Sequence, residues 1–598
     1  MRGTDLAKRR KANVRAVLPT IALALVVIAF FLRLVTLQVV EASAINSEAD
    51  GRRGVVQTLW GTRGSIVDTN GEVLASSVDR FDVTFAPVNM SDFPVIDPET
   101  GQEVTVTVQD SIKQIAEITG QDPAALQTSV DATVAADPEA NFGYLAKMVT
   151  LEEYQKVREL QIPWVYFERH PERVYPNGTV GGSITGFLGS DGTPLAGLEL
   201  QYDQCLAGSN GEETYVRSRD GVAIPGSIVT LTEATHGGTL QTTIDLDTDW
   251  MMRQILAENV EAMQAKYGTL TVVDVKTGEI LSAAEYPAVD PNDPASVDAE
   301  YRGSLTFSGP YEPGSIMKPI TAAIAYDQGV VDPKETINVP DTWQGSDANF
   351  SDDSPHDDQD MNMNGVMAES SNVGIVLYGQ RVDAATRYQY MLDFGFGNQT
   401  DVGFIGEEPG LLYSPDDWDS HTSLSVMFGQ GFSATAAQMA SAYQAIGNGG
   451  KQTSLQLIKG CLQENGELTD QPEITSNQVV SPEAADLTLE ALEAVATGGH
   501  LSEKVAIPGY RVGMKTGTAQ VVNPETGLYE DGSYITSMAG IAPIDDPKYV
   551  VIVTLANPVK ITSSAATADA WQQAMSYMLT SNDVPPSPTP WPSISTTP

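Results

Sequence analysis

Ser315 and Lys318 are the first pair of residues in this chain whose types and spacing could do chemistry. Tyr311-Glu312-Pro313-Gly314 reads as a turn, and the apolar run that follows reads as a helix. A three-residue spacing then sets both side chains on one face. A serine hydroxyl is a weak nucleophile until a base takes its proton. Lysine is such a base only when neutral, so its pKa must fall from about 10.4 through burial or a nearby positive charge. Taken alone, S-x-x-K is weak evidence, because a surface serine near a surface lysine gives the same pattern. This one is the only S-x-x-K in the chain.

Two further groups could complete a site. Ser370-Ser371-Asn372 is the only S-x-N. Ser370 could pass a proton between nucleophile, base and leaving amine, and Asn372 offers a donor and an acceptor to a substrate amide. The same residues would also serve as a helix cap. Lys515-Thr516-Gly517-Thr518 precedes Ala519-Gln520-Val521-Val522, which suits a sheet edge. Gly517 would let substrate lie against the backbone. Lys515 would bring positive charge that holds down the pKa of Lys318. Thr518 could bind a carboxylate and turn its N–H toward an oxyanion. Lys276-Thr277-Gly278 repeats the tripeptide, but before the serine and at an apparent hairpin turn, so it reads as turn chemistry.

Other chemistries are disfavoured. The five histidines show no H-E-x-x-H spacing, and neither G-x-S-x-G nor a P-loop occurs. With 78 acidic against 34 basic residues and a net charge of −44, a nucleic-acid partner is excluded, because phosphate binding needs basic side chains. The aspartates from Asp347 to Asp360 lack the ordered spacing of a calcium loop and read as a solvated acidic loop. Cys205 and Cys461 are the only cysteines. A disulfide between them is geometrically possible, but nothing in the sequence requires it, and the favoured reading is two isolated, small buried residues.

The elements around these residues divide the chain. Arg2, Lys8, Arg9, Arg10, Lys11 and Arg15 precede an uncharged stretch from Ala16 to Leu32, and Leu34 to Val40 extends it past Arg33. This reads as an uncleaved membrane anchor with its basic end inside, although Ala42-Ser43-Ala44 has the look of a cleavage site. Arg52 to Gly237 reads as mixed structure. It contains a hairpin over Arg63 to Ala75 turning at Asn70-Gly71, and helices over Asp110 to Ile118 and Leu151 to Leu160. After Gly237-Gly238 come a strand, a helix from Asp247 to Lys266, a hairpin from Gly268 to Ala284, and later an apolar central strand at Val550 to Leu555. Residues 581–598 contain six prolines and read as a disordered tail.

The order Ser-Lys, Ser-Asn, Lys-Thr-Gly resembles the serine penicillin-recognising enzymes, and the chain resembles a class B penicillin-binding protein over nearly its whole length. Arg63 to Ala75, Arg173-Val174-Tyr175-Pro176 through Gly186, Gly197-Leu198-Glu199, Asp274 to Leu281, and Gly429-Gln430-Gly431 with Thr435 and Gln438 resemble segments of that family. Thr69 departs from it, standing where arginine is common. The resemblance implies an α+β fold: a β-lactamase-like transpeptidase domain, with an antiparallel sheet flanked by helices plus a helical lobe, on a mixed α/β pedestal with one transmembrane helix. The implied domains are a basic cytoplasmic tip (1–15), the anchor (16–40), a dimerisation-like pedestal (41–237), the transpeptidase domain (238–580) and the tail (581–598). It further implies D,D-transpeptidation of peptidoglycan stem peptides outside the cytoplasmic membrane, with β-lactams as inhibitors, in septal division or side-wall elongation, of which division is favoured. Ser315 would be nucleophile, Lys318 base and Ser370 relay; Asn372, Lys515, Thr516, Gly517 and Thr518 would bind substrate. Neither cofactor nor metal is implied. A multi-spanning glycan polymerase and division proteins are the implied partners. A D,D-carboxypeptidase, a β-lactamase-like hydrolase, or a non-enzymatic β-lactam sensor or wall-binding scaffold are the competing readings.

Overall fold

The computed structural model describes residues 4–40, 54–96, 100–216, 224–345, 348–523 and 526–596. Ala42-Ser43-Ala44 and Asp347 lie outside the described residues. Helix α1 (Thr4–Val35) continues as a short π-helical stretch to Val40. Within it Pro19–Val39, 21 residues, is long and apolar enough to cross a membrane, spanning about 32 Å at 1.5 Å per residue.

Two compact units follow the chain's contacts rather than a single linear cut. The first includes Asp79–Pro171 and Gly208–Thr235. Its helices Val108–Ile118, Pro123–Ala136 and Leu151–Glu159 each begin at a side-chain cap, from Thr107, Asp122 and Thr150. Ile112, Ile115, Val130, Val83, Phe85 and Trp164 are fully buried in its core.

The second unit combines Thr62–Val78, Glu172–Ala207 and everything from His236 onward. Its main sheet has strands β1 (Tyr267–Asp274), β2 (Ile280–Tyr286), β3 (Gly513–Val522), β4 (Tyr529–Ala542) and β5 (Tyr549–Ala556), in the order β2-β1-β5-β4-β3. All four pairings are antiparallel. Central β5 carries Val550-Val551-Ile552-Val553, every side chain fully buried. Side chains alternate across a strand, so both faces of the sheet are covered. Its helices include α2 (Leu246–Met263), α3 (Lys318–Asp327), α4 (Met363–Ala368), α5 (Asn372–Gly379), α6 (Ala436–Gly447), α7 (Pro482–Gly498) and α8 (Ala568–Ser581). Helices α2 and α8 pack on each other and on the sheet, α6 packs on β1 and β5, and α3 and α4 pack on α7. The tripeptide Lys276-Thr277-Gly278 is the β1–β2 turn, with Asp274 accepting from the N–H groups of Lys276 and Thr277.

Residues 62–78 and 172–207 join this unit although they precede the sequence boundary at 237. Ile66–Val67 pairs in parallel with Thr239–Thr242. Fully buried Glu199 lies 2.5 Å from Arg63 Nε and 2.6 Å from Arg173 Nε. Removing either cation would leave a buried carboxylate short of charge, a loss of about 3–5 kcal/mol. Lys459 donates to the hydroxyl of Thr69, so a cation remote in sequence reaches that turn.

Two expectations are corrected. Cys205 and Cys461 form a disulfide, with Cα atoms 6.1 Å apart. The cause is strand pairing remote in sequence. Leu240 lies opposite Cys461, and the N–H of neighbouring Gly238 donates to the carbonyl of Cys205 at 2.8 Å. The tail is also held rather than loose. Tyr510 donates to the carbonyl of Val584 at 2.6 Å, Arg511 N–H donates to Ser587 Oγ at 3.0 Å, and Asn362 Nδ2 donates to the carbonyl of Ser595 at 3.0 Å. Proline-rich chain has little entropy to lose on docking, and its partners lie on other elements, beyond what composition reveals.

Closing a loop of 256 residues restrains the unfolded chain, a stabilisation of about 2–5 kcal/mol. Cys205→Ser with Cys461→Ser is expected to lower the melting temperature by several degrees while the chain remains folded at 25 °C. An unchanged melting curve would contradict a stabilising role.

Candidate active site

Ser315 lies in the 3-10 turn Gly314–Met317, which runs directly into α3 at Lys318. The Lys318 N–H donates to the Ser315 carbonyl. Side chains three apart eclipse in such a turn, so Ser315 and Lys318 share one face. Gly314 has φ +58 and Gly429 φ +88. A Cβ on Gly429 would fall 2.0 Å from Gly314 O, and one on Gly314 would fall 2.8 Å from Thr518 O. The nucleophile turn is thus clamped between the Gly429 segment and β3 by backbone contact that only glycine permits. Tyr443, fully buried on α6, donates to the Ile316 carbonyl at 2.9 Å and supports the turn from below.

Lys318 and Lys515 are both fully buried and converge on one hydroxyl. Lys515 Nζ lies 2.8 Å from Ser370 Oγ, and Lys318 Nζ lies 3.3 Å from the same atom while also donating to the Ser370 carbonyl. Burial pulls Lys318 down to about 8, opposed by the charges of Asp353 and Asp352. Lys515 is pushed well below its usual value, by burial first and the charge of Lys318 second. Two ammonium groups on one oxygen repel, so a proton on one disfavours a proton on the other. The repulsion shows at Lys515, where Lys318 is the second cause, whereas burial is what lowers Lys318.

Ser370 itself has φ +58, an uncommon conformation for a residue with a Cβ, costing about 1–3 kcal/mol. It sits in the turn between α4 and α5. Ser371 caps α5 by accepting from Gly374 N–H at 2.8 Å, so the cap reading of this motif and the relay reading fall on adjacent serines. Asn372 opens α5, and its Nδ2 donates to the Ser351 carbonyl at 3.2 Å. On β3, Lys515 points to the site, Thr516 Oγ1 lies 3.3 Å from Lys515 Nζ, and Thr518 Oγ1 accepts from Ser564 N–H at 3.1 Å. A Cβ on Gly517 would meet Ser537 Oγ at 2.3 Å and Pro313 O at 2.9 Å, which explains glycine there by packing of the nucleophile turn on the strand.

All eight residues picked out from sequence thus belong to one structural neighbourhood. Sequence reasoning missed three groups. Asp352 accepts from the N–H groups of Asn372 and Val373, and its side chain is 7 % exposed. The loop read as solvated therefore puts a buried carboxylate at the site. The only signal in sequence was His356 four residues on, which pairs with it. Tyr443 gave no signal beyond an apolar helix. Glu312 accepts from Gly431 N–H at 2.8 Å and from the Tyr529 hydroxyl at 3.0 Å, linking the Gly429–Gly431 segment to β4.

A family model described as the penicillin-binding protein transpeptidase domain matches residues 268–576, and one for the penicillin-binding protein dimerisation domain matches residues 58–242. The chain belongs to the penicillin-binding proteins. Over 99 % of its length it is 32 % identical to penicillin-binding protein PbpB of Mycolicibacterium smegmatis, covering 93 % of that relative. It is 28 % identical to peptidoglycan D,D-transpeptidase FtsI of Escherichia coli K12, covering 94 % of this chain and 91 % of that one. Among solved structures, a peptidoglycan synthetase from Bifidobacterium adolescentis is similar with a TM-score of 0.70 and 28 % identity, covering 91 % of this chain and 100 % of the other. Penicillin-binding protein 3 of Mycobacterium tuberculosis in complex with ampicillin is similar with a TM-score of 0.69 and 27 % identity, covering 91 % and 100 %.

An amine that must be neutral to accept a proton works only above its pKa. Acylation by a fluorescent penicillin is therefore expected to rise with pH through a midpoint of about 8, the value to which burial brings Lys318. A rate independent of pH between about 6 and 9 would contradict this.

Proposed function

We infer that this chain is a peptidoglycan D,D-transpeptidase working through an acyl-enzyme on Ser315. The observation that carries the reading is the meeting of Lys318 and Lys515 on Ser370 Oγ beside the Ser315 turn. In the first half-reaction, Ser315 Oγ attacks the carbonyl between the two terminal D-alanines, and Lys318 takes the hydroxyl proton. The N–H groups of Ser315 and Thr518 receive the oxyanion. Ser370 passes the proton to the departing D-alanine amine as the C–N bond breaks, leaving an ester on Ser315. In the second half-reaction a neighbouring stem-peptide amine attacks that ester, gives up a proton to the lysine–serine group, and releases Ser315. Asn372, Thr516, Gly517 and Thr518 hold the peptide along β3. A β-lactam forms the same ester, but its amine stays tethered, so the acyl-enzyme persists.

The apolar Pro19–Val39 helix, preceded by basic residues, anchors the chain once in the cytoplasmic membrane with its bulk outside. Likeness to FtsI and PbpB over nearly the whole chain supports a role in division, beside a multi-spanning glycan polymerase contacted through anchor and pedestal.

Intact-protein mass after penicillin treatment is expected to give one adduct, absent in Ser315→Ala and formed at least about 100-fold more slowly in Lys318→Ala. With a stem-peptide donor and amine acceptor, cross-linked product is expected; hydrolysis alone would favour a carboxypeptidase. A fluorescent fusion is expected at midcell, and side-wall labelling alone would count against division.

A further inference from the structure

The strands Thr342–Gln344 and Asn349–Ser351 form a small antiparallel pair that delivers Asp352 to the first turn of α5. Asp352 Oδ1 accepts from the N–H of Asn372 at 2.6 Å and of Val373 at 3.0 Å. Its Oδ2 lies 3.0 Å from His356 Nε2. The other imidazole nitrogen, Nδ1, lies 2.7 Å from the carbonyl of Asp357. Both ring nitrogens thus face groups that only accept, an arrangement suited to the imidazolium form. One carboxylate therefore joins three parts: the acidic loop, the N-terminus of α5, and the Ser370–Asn372 turn at its back.

We propose that Asp352, braced by His356, is a positioning residue for the transpeptidase reaction: it fixes the Ser370–Asn372 turn and supplies the counter-charge for the proton that Lys318 takes from Ser315. Ser370 lies against Lys318, the charges of Asp353 and Asp352 act on Lys318, and the charge of Lys318 acts on Lys515. Lys515 opposes a proton on Lys318, and the two aspartates favour one. The groups facing His356 are Asp352, Asp357 and Asp341. Burial disfavours a proton on Lys318, and the charges of Asp353 and Asp352 oppose that shift. The oxygen that anchors two backbone N–H groups ensures that this charge and the relay serine move together. The proposal rests on Lys318 acting as the base.

The test is stopped-flow acylation by a fluorescent penicillin across roughly pH 6 to 10, separating the acylation rate constant from the dissociation constant. Asp352→Asn keeps the size and an acceptor oxygen while removing the charge. It is expected to lower the pH midpoint by about half a unit or more, leaving the maximal rate within about threefold. Asp352→Ala also removes the anchor. Its maximal rate is expected to fall about tenfold or more with the penicillin dissociation constant little changed, and the Asn variant restores most of that loss. His356→Gln keeps the carboxylate and is expected not to lower the midpoint. An unmoved midpoint in Asp352→Asn, or wild-type acylation in Asp352→Ala, would overturn the proposal. If melting curves show that the Ala variant does not fold, the Asn midpoint decides alone. Lys318→Ala separates the two readings: wild-type acylation there would remove the base assignment, whereas an inactive Lys318→Ala with an unmoved Asn midpoint would remove only the role of Asp352.

Discussion

Two buried ammonium groups share one serine hydroxyl, and the remainder of the catalytic unit is arranged around that repulsion. A lysine in water keeps its proton at neutral pH and cannot serve as a base. Here Lys318 and Lys515 are taken out of water together and set 3.3 and 2.8 Å from Ser370 Oγ. Desolvation and mutual repulsion both disfavour the fully charged state. An arrangement of this kind destabilises the folded chain, so it must be held by packing elsewhere. The fully buried β5, the helices on the sheet and the polyalanine-rich α6 supply a large apolar core for that purpose.

Holding the site also requires backbone in unusual conformations at close range. Gly314 and Gly429 touch through backbone atoms, and Gly314 in turn rests on Thr518. Ser370 keeps a positive φ with a side chain attached. Each is a local cost met by neighbours: Tyr443 below the nucleophile turn, and Ser371 and Asp352 at the N-terminus of α5. Rigid placement matters because proton transfer falls off steeply once donor and acceptor leave hydrogen-bond distance. The Arg63–Glu199–Arg173 cluster and the Cys205–Cys461 bridge do for residues 62–78 and 172–207 what these contacts do for the cleft.

What was legible in the sequence followed from local rules. The Ser315–Lys318 spacing, the glycine of the Lys-Thr-Gly strand, the Lys276 turn and the β-branched run of β5 each carry their structural meaning in a few adjacent residues. The hairpin at Asn70-Gly71 and the helices near 110 and 151 were readable for the same reason; the first helix starts earlier than read, at Val108 after its Thr107 cap, and the second starts at Leu151 as read, after its Thr150 cap. What was not legible depended on partners far along the chain. The cysteines pair because strand Thr239–Thr242 lies beside Ile458–Leu462. The proline-rich tail is held by Tyr510, Arg511 and Asn362, none of which its own composition announces. Asp352 looked like one charge among many, and only the fold sets it apart from its solvated neighbours.

The most direct test of the central claim watches the amines themselves. Protein labelled with 13C and 15N at lysine would be titrated by NMR, with Lys318→Arg and Lys515→Arg used to assign the two buried resonances. The Lys318 signal is expected to change protonation near pH 8, far below the exposed lysines, and to move when Lys515 is replaced. Two signals titrating independently near 10.5, like lysines in water, would contradict it.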